Sequence, residues 1–161
     1  MNRYTLLLLI LFTGGVQAEP FAAFPDIICQ WMQSERFSGR SEYARVRDDL
    51  YRCATLRKPI RRGEPLGSDV RYLAEGTAEA ISLVRLEMRM RSFRQPQQTL
   101  RRFLAYVDTL TQTALSTVLP EDVSTAIRSG VTGHWQLSGK TVKLEKLHVM
   151  SGSYDFHFSI Q

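Results

Sequence analysis

His148 and Asp155 are the pair of side chains whose types and spacing come closest to proposing a reaction. They flank Ser151-Gly152, which reads as a tight hairpin turn between two runs of alternating apolar residues. Matching the apolar faces across that hairpin pairs Val149 with Tyr154 and Leu147 with Phe156. His148 then falls opposite Asp155 on the polar side. An aspartate so placed would orient the imidazole as a general base for hydrolysis. No Gly-x-Ser-x-Gly motif supplies a nucleophile beside it. The plainer reading is a cross-strand polar contact worth about 0.2–1 kcal/mol, and the sequence favours it.

Metal and cofactor chemistry find less support. His134, His148 and His157 are the only histidines, and none has the helical spacing of a zinc motif. No glycine-rich loop joins a strand to a helix, and no aspartate-rich calcium loop is present. The sequence therefore implies neither a metal nor a cofactor. Cys29 and Cys53 lack the Cys-x-x-Cys spacing of a redox centre. As an even pair they predict a structural disulfide, worth roughly 3 kcal/mol by the chain-entropy argument.

Charge offers one binding surface. Arg85, Arg89 and Arg91 alternate with Val84, Leu86, Met88 and Met90, a period of two that marks a strand with one buried and one wet face. Lys143 and Lys146 come from a neighbouring part of the same sheet, and with the arginines they form a candidate face for an anionic partner. A soluble domain needs a charged outer face in any case, and Glu87 and Glu145 partly neutralise this one. That plainer account is again favoured. The densest positive run, Arg57 to Arg62, sits among Pro59, Gly63, Pro65 and Gly67 and reads as a solvated loop. No aromatic residue is interleaved with the arginines, which argues against nucleic acid.

The elements that must carry these residues follow from periodicity. Residues 1–18 read as an export signal: Arg3, an apolar run from Leu6 to Phe12, then Val16-Gln17-Ala18 before a mature start at Glu19. The run is too short to span a membrane, so the sequence predicts cleavage rather than anchoring. Residues 19–161 then form a single domain, and 43% hydrophobic with 23% charged residues excludes wholesale disorder. The formal charge is +5, carried by 17 Arg and 4 Lys. Such an excess of Arg suits bidentate pairing with anions, although a biased genome gives the same ratio.

Pro25 to Gln33 reads as a short helix. Ser41 to Leu56 is ambiguous, helical in its first half while Tyr51 to Leu56 also passes for a strand, and Cys53 ties whichever element carries it to the first helix. After Pro96, the spacing of Leu100, Phe103, Leu104, Val107, Leu110, Ala114 and Leu115 predicts a long amphipathic helix of about five turns. Pro120 starts a shorter one that Gly130 ends. Three strands close the chain, joined by turns at Ser138-Gly139 and Ser151-Gly152, with a bulge near Glu145-Lys146 to restore parity. The predicted fold is α+β. It is a two-layer domain with an antiparallel sheet of about four strands, a long amphipathic helix on one face and an N-terminal helical region tied on by the disulfide.

These observations predict a small exported protein, periplasmic in a bacterium, that acts by macromolecular binding without catalysis. Its partner is another envelope or secreted protein or an anionic envelope component. Its role is that of an envelope or secretion-system accessory or an immunity-type inhibitor. The alternatives are a hydrolase using His148 and Asp155, and a carrier of a small hydrophobic ligand between helix and sheet.

Overall fold

Eight strands, where about four were expected, build a single antiparallel sheet in the computed structural model. It describes residues 19–39, 42–61, 67–91, 96–148 and 153–161. The predicted signal at 1–18 lies outside these residues, as do Arg62, Gly63, Pro65, Val149 and the Ser151-Gly152 turn.

The strands are β1 (Ala44–Arg47), β2 (Leu50–Ala54), β3 (Lys58–Pro59), β4 (Asp69–Gly76), β5 (Ile81–Met90), β6 (Gly133–Leu137), β7 (Lys140–His148) and β8 (Tyr154–Ile160). Their spatial order is β1-β2-β4-β5-β8-β7-β6, with β3 paired to β4. The helices are α1 (Pro25–Ile28), α2 (Pro96–Leu115) and α3 (Glu121–Ser129).

The helix expected over the first half of Ser41 to Leu56 is instead the β1–β2 hairpin, reversed at Asp48-Asp49 with Asp48 at φ 36. The intervals of Tyr43, Val46, Leu50 and Cys53 resemble a helical stripe, yet Val46 is 53% exposed. What fixes this segment is pairing with β4, which turns Cys53 inward beside Ala74. The strand β4 itself has no counterpart in the expected fold, although Val70, Tyr72 and Ala74 alternate with Asp69, Arg71 and Glu75. Together these segments account for the larger sheet.

In β5, α2, α3 and the Ser138-Gly139 turn, periodicity and structure agree. The alternation in β5 buries Val84, Leu86, Met88 and Met90 completely. Across β8 the same face continues through Ile160, Phe158 and Phe156. Helix α2 lays Leu100, Phe103, Val107 and Leu110 on this face, closing the layer with fully buried side chains. Pro120 stands at the N-cap of α3 and Gly130, at φ 66, terminates it. The Ser138-Gly139 turn carries φ 50 and 77, the left-handed pair that a two-residue hairpin requires.

The N-terminal region docks on the same side. Cys29 and Cys53 are bridged, and the buried Tyr72 hydroxyl donates to the carbonyl of Ile28 at 2.8 Å. Backbone pairing of Phe21 N–H to the Ile81 carbonyl adds a third tie. Helix α1 is shorter than expected, because residues 29–36 continue as successive turns.

Candidate ligand-binding site

The cross-strand contact expected between His148 and Asp155 does not form. Strands β7 and β8 pair without a bulge: Lys146 lies opposite Phe156, Leu147 opposite Asp155 and His148 opposite Tyr154. His148 and Asp155 therefore project from opposite faces of the sheet. The parity shift that placed Leu147 in the core is absent, and Leu147 is 46% exposed. Shortening the apolar face costs little here, because Lys146 supplies aliphatic cover and stacks its ammonium 4.1 Å from the Tyr154 ring.

The expected basic face divides in the same way. Arg85 and Arg89 share the outer face with Lys143, which is reached from Arg85 through Ser159 on the intervening β8. Arg91 lies beyond the end of β5, where it joins Arg89, Ser153 and Asp155 around a small depression. Lys146 belongs to the helix side and takes no part in this face.

Ion pairing then compensates much of the outer face. Glu87 accepts from Arg71 Nε at 2.6 Å and from Arg57 at 3.1 Å, with Arg85 at 3.8 Å. Asp69 accepts a second bond from Arg57 at 2.9 Å, and Arg52 pairs with Glu75. Burial pushes the Glu87 carboxyl upward, but the hydrogen bond and charge of Arg71, with His157 and Arg57, outweigh it and hold it below its ordinary range. His157 sits between Glu87 and Glu145 in register, and burial lowers it below its ordinary value. Asp155 also flanks Arg89 in register. This surface resembles a solvated ionic lattice more than a positive field.

A second basic surface, on the helix side, is a cleft of about 610 Å³ lined by Arg36, Lys58, Arg61 and Arg102 with Gln98 and Tyr106. Three chain segments build it. Gln98, Arg102 and Tyr106 recur at intervals of four along α2, so they share one flank of the helix beside its buried stripe. Lys58 comes from β3, held by pairing with Val70. Arg36, at φ 59, closes the turns that the disulfide anchors, followed by the buried Phe37.

Lys58 is the fixed point of the cleft. Its ammonium lies 4.1 Å from the Phe37 ring centroid and 4.3 Å from that of Tyr106, and it donates to the Glu35 carbonyl. Those two rings pack edge to face at 5.2 Å. Every one of these partners is a dipole or a quadrupole, so the charge is oriented without being neutralised. Among the described residues, Arg36, Lys58 and Arg102 form no ion pair. The lining contains one carboxylate, Glu35, whose Oε1 accepts from Thr109 Oγ1 at 3.2 Å.

The run Arg57 to Arg62 thus has two destinations. Arg57 joins the outer lattice, whereas Lys58 and Arg61 face the cleft. The sequence read this run as a solvated loop, whereas Lys58 and Pro59 pair with β4. Its charge density and the four-residue spacing of Gln98, Arg102 and Tyr106 were the available signals for the cleft. Arg36 had no such signal. Among the described residues, no group of acidic, histidine or cysteine side chains is arranged to hold a metal. No helix among the described residues is long and apolar enough to cross a membrane.

No protein-family model matches the chain, and searches of curated proteins and of solved structures return nothing significantly similar.

Proposed function

We propose that the chain is an exported, non-enzymatic protein that acts by macromolecular binding, and that its basic cleft engages an anionic envelope component or the acidic surface of an envelope or secreted protein. The observation that carries this reading is that Arg36, Lys58 and Arg102 line one cleft with no ion pair among the described residues. Their fields add, and the concave walls concentrate them. The Cys29–Cys53 bridge supports the export half, since such bonds persist in oxidising compartments. Within this reading the protein serves as an envelope or secretion-system accessory or as an immunity-type inhibitor.

The test is retention of envelope components by the immobilised protein, compared with the double variant Arg36→Gln/Arg102→Gln. Both side chains are exposed, so the variant should fold with an unchanged Tm. A defined component held by the parent protein at low salt, released by salt and not held by the variant is the expected result. Equal retention by both proteins overturns the assignment of the cleft. An inhibitor would also abolish the activity of what it captures, which separates the two roles.

A further inference from the structure

The cleft has a chemistry more specific than attraction to negative charge. Its cations come from a turn, a strand and a helix, so three separate segments of the chain bring donors to one lining. A carboxylate is planar and is satisfied by a single guanidinium fork. A phosphate monoester presents three terminal oxygens and about −1.5 to −2 charge, and it draws on donors from several directions. The orientation of Lys58 as an unneutralised point charge suits that tetrahedral group. Gln98 lies in the first turn of the twenty-residue α2, whose positive dipole end adds to the same field. Ser34, Gln98 and Tyr106 supply further hydroxyl and amide donors on the lining. At about 610 Å³ the cleft also exceeds what a bare ion would need, leaving room for the group that the phosphate esterifies.

Building on the function proposed above, we infer that the cleft recognises a phosphate monoester borne on a larger molecule. The specificity is set by Arg36, Lys58 and Arg102, with Arg61 in the same lining. The phosphate comes either from a soluble ester or from a lipid headgroup, and the two sources are separable by experiment.

Titration calorimetry of the full, disulfide-bonded protein with glycerol 3-phosphate, with acetate as comparator, tests the soluble source. Flotation with vesicles of phosphatidylcholine, with and without phosphatidic acid, tests the lipid source. Binding in either arm that falls at least 10-fold in Arg36→Gln/Arg102→Gln, and is largely kept in Arg102→Lys, is the expected outcome. Acetate binding as tightly as glycerol 3-phosphate overturns the phosphate assignment and leaves the anionic cleft standing. No binding in either arm overturns the inference. If the envelope component of the previous section is still lost in the double variant, the broader function survives that failure.

Discussion

Glu87 is the residue on which the outer face turns. It is 6% exposed and receives Arg57, Arg71 and Arg85, a surplus of cations around one carboxylate. The Nε atoms of Arg57 and Arg85 are buried without an acceptor among the described residues, so the donors already outnumber what the site can satisfy. Replacing Glu87 by Gln removes the charge that these guanidinium groups share. The expected cost is about 3 kcal/mol, measured by denaturant unfolding, and a loss below about 1 kcal/mol would contradict it. The pH dependence has a definite sign. His157 lies below its ordinary 6.5 when folded, so the unfolded chain takes up that proton first. Stability is therefore fully present above 6.5 and declines as pH falls towards the folded value. Glu87 is also lowered when folded, so its contribution is present above its ordinary 4.5 and is lost as pH falls through the folded value. Thermal unfolding between pH 8 and pH 3 should show two successive declines. His157→Gln should remove the first. The Glu87 charge raises His157, so its loss in Glu87→Gln should deepen that first decline and erase the second.

Gly76 decides how β4 turns into β5. The register shifts between Glu75 and Gly76, and a Cβ at Gly76 would stand 2.0 Å from the Ala80 carbonyl oxygen and 2.7 Å from the Ile81 Cα. Both are backbone atoms and cannot swing aside. Gly76→Ala should therefore destabilise by about 2 kcal/mol, read from the denaturant midpoint, and a neutral result would refute the close approach. Elements of this kind explain what the sequence did and did not disclose. The strands β5, β7 and β8 and the helices α2 and α3 were legible, because each carries a long period and a marked boundary such as Pro96, Pro120 or Gly130. The β1–β2 hairpin was legible only as a possible strand at Tyr51 to Leu56, since its few inward residues mimic a helical stripe and its pairing with β4 is invisible locally. Lys146 broke the alternation of β7 at the point where the strand outruns the core, and the apparent shift in parity was read as a bulge. The disulfide was legible from residue count alone. The cleft was only half visible, because Lys58 acquires its setting from Phe37 and Tyr106, which are distant in the chain.

Over the whole molecule, the topology gives the last strand an importance that its position in the chain conceals. Strand β8 lies between β5 and β7, so it joins the part of the sheet formed before the helices to the hairpin formed after them. Its partners on one side, Val84 to Met90, are separated from it in the chain by helices α2 and α3. Such a distant pairing is entropically costly to close and is rewarded only when the apolar face is completed. Phe156, Phe158 and Ile160 complete it, all three buried in the common core with Leu86, Met88 and Val142. Without them the β6–β7 hairpin has no neighbour on its inner edge, and an isolated hairpin is marginal in water. The edge of β5 would likewise be left as an open row of unpaired backbone groups. Removing residues 154–161 should therefore abolish cooperative unfolding, even though the Cys29–Cys53 bridge and the β1-β2-β4-β5 pairings remain intact in sequence. Near-ultraviolet circular dichroism and calorimetry of the truncated chain would measure this. A sharp thermal transition within a few degrees of that of the full chain would show that the two halves of the sheet stand independently, contrary to the pairing described.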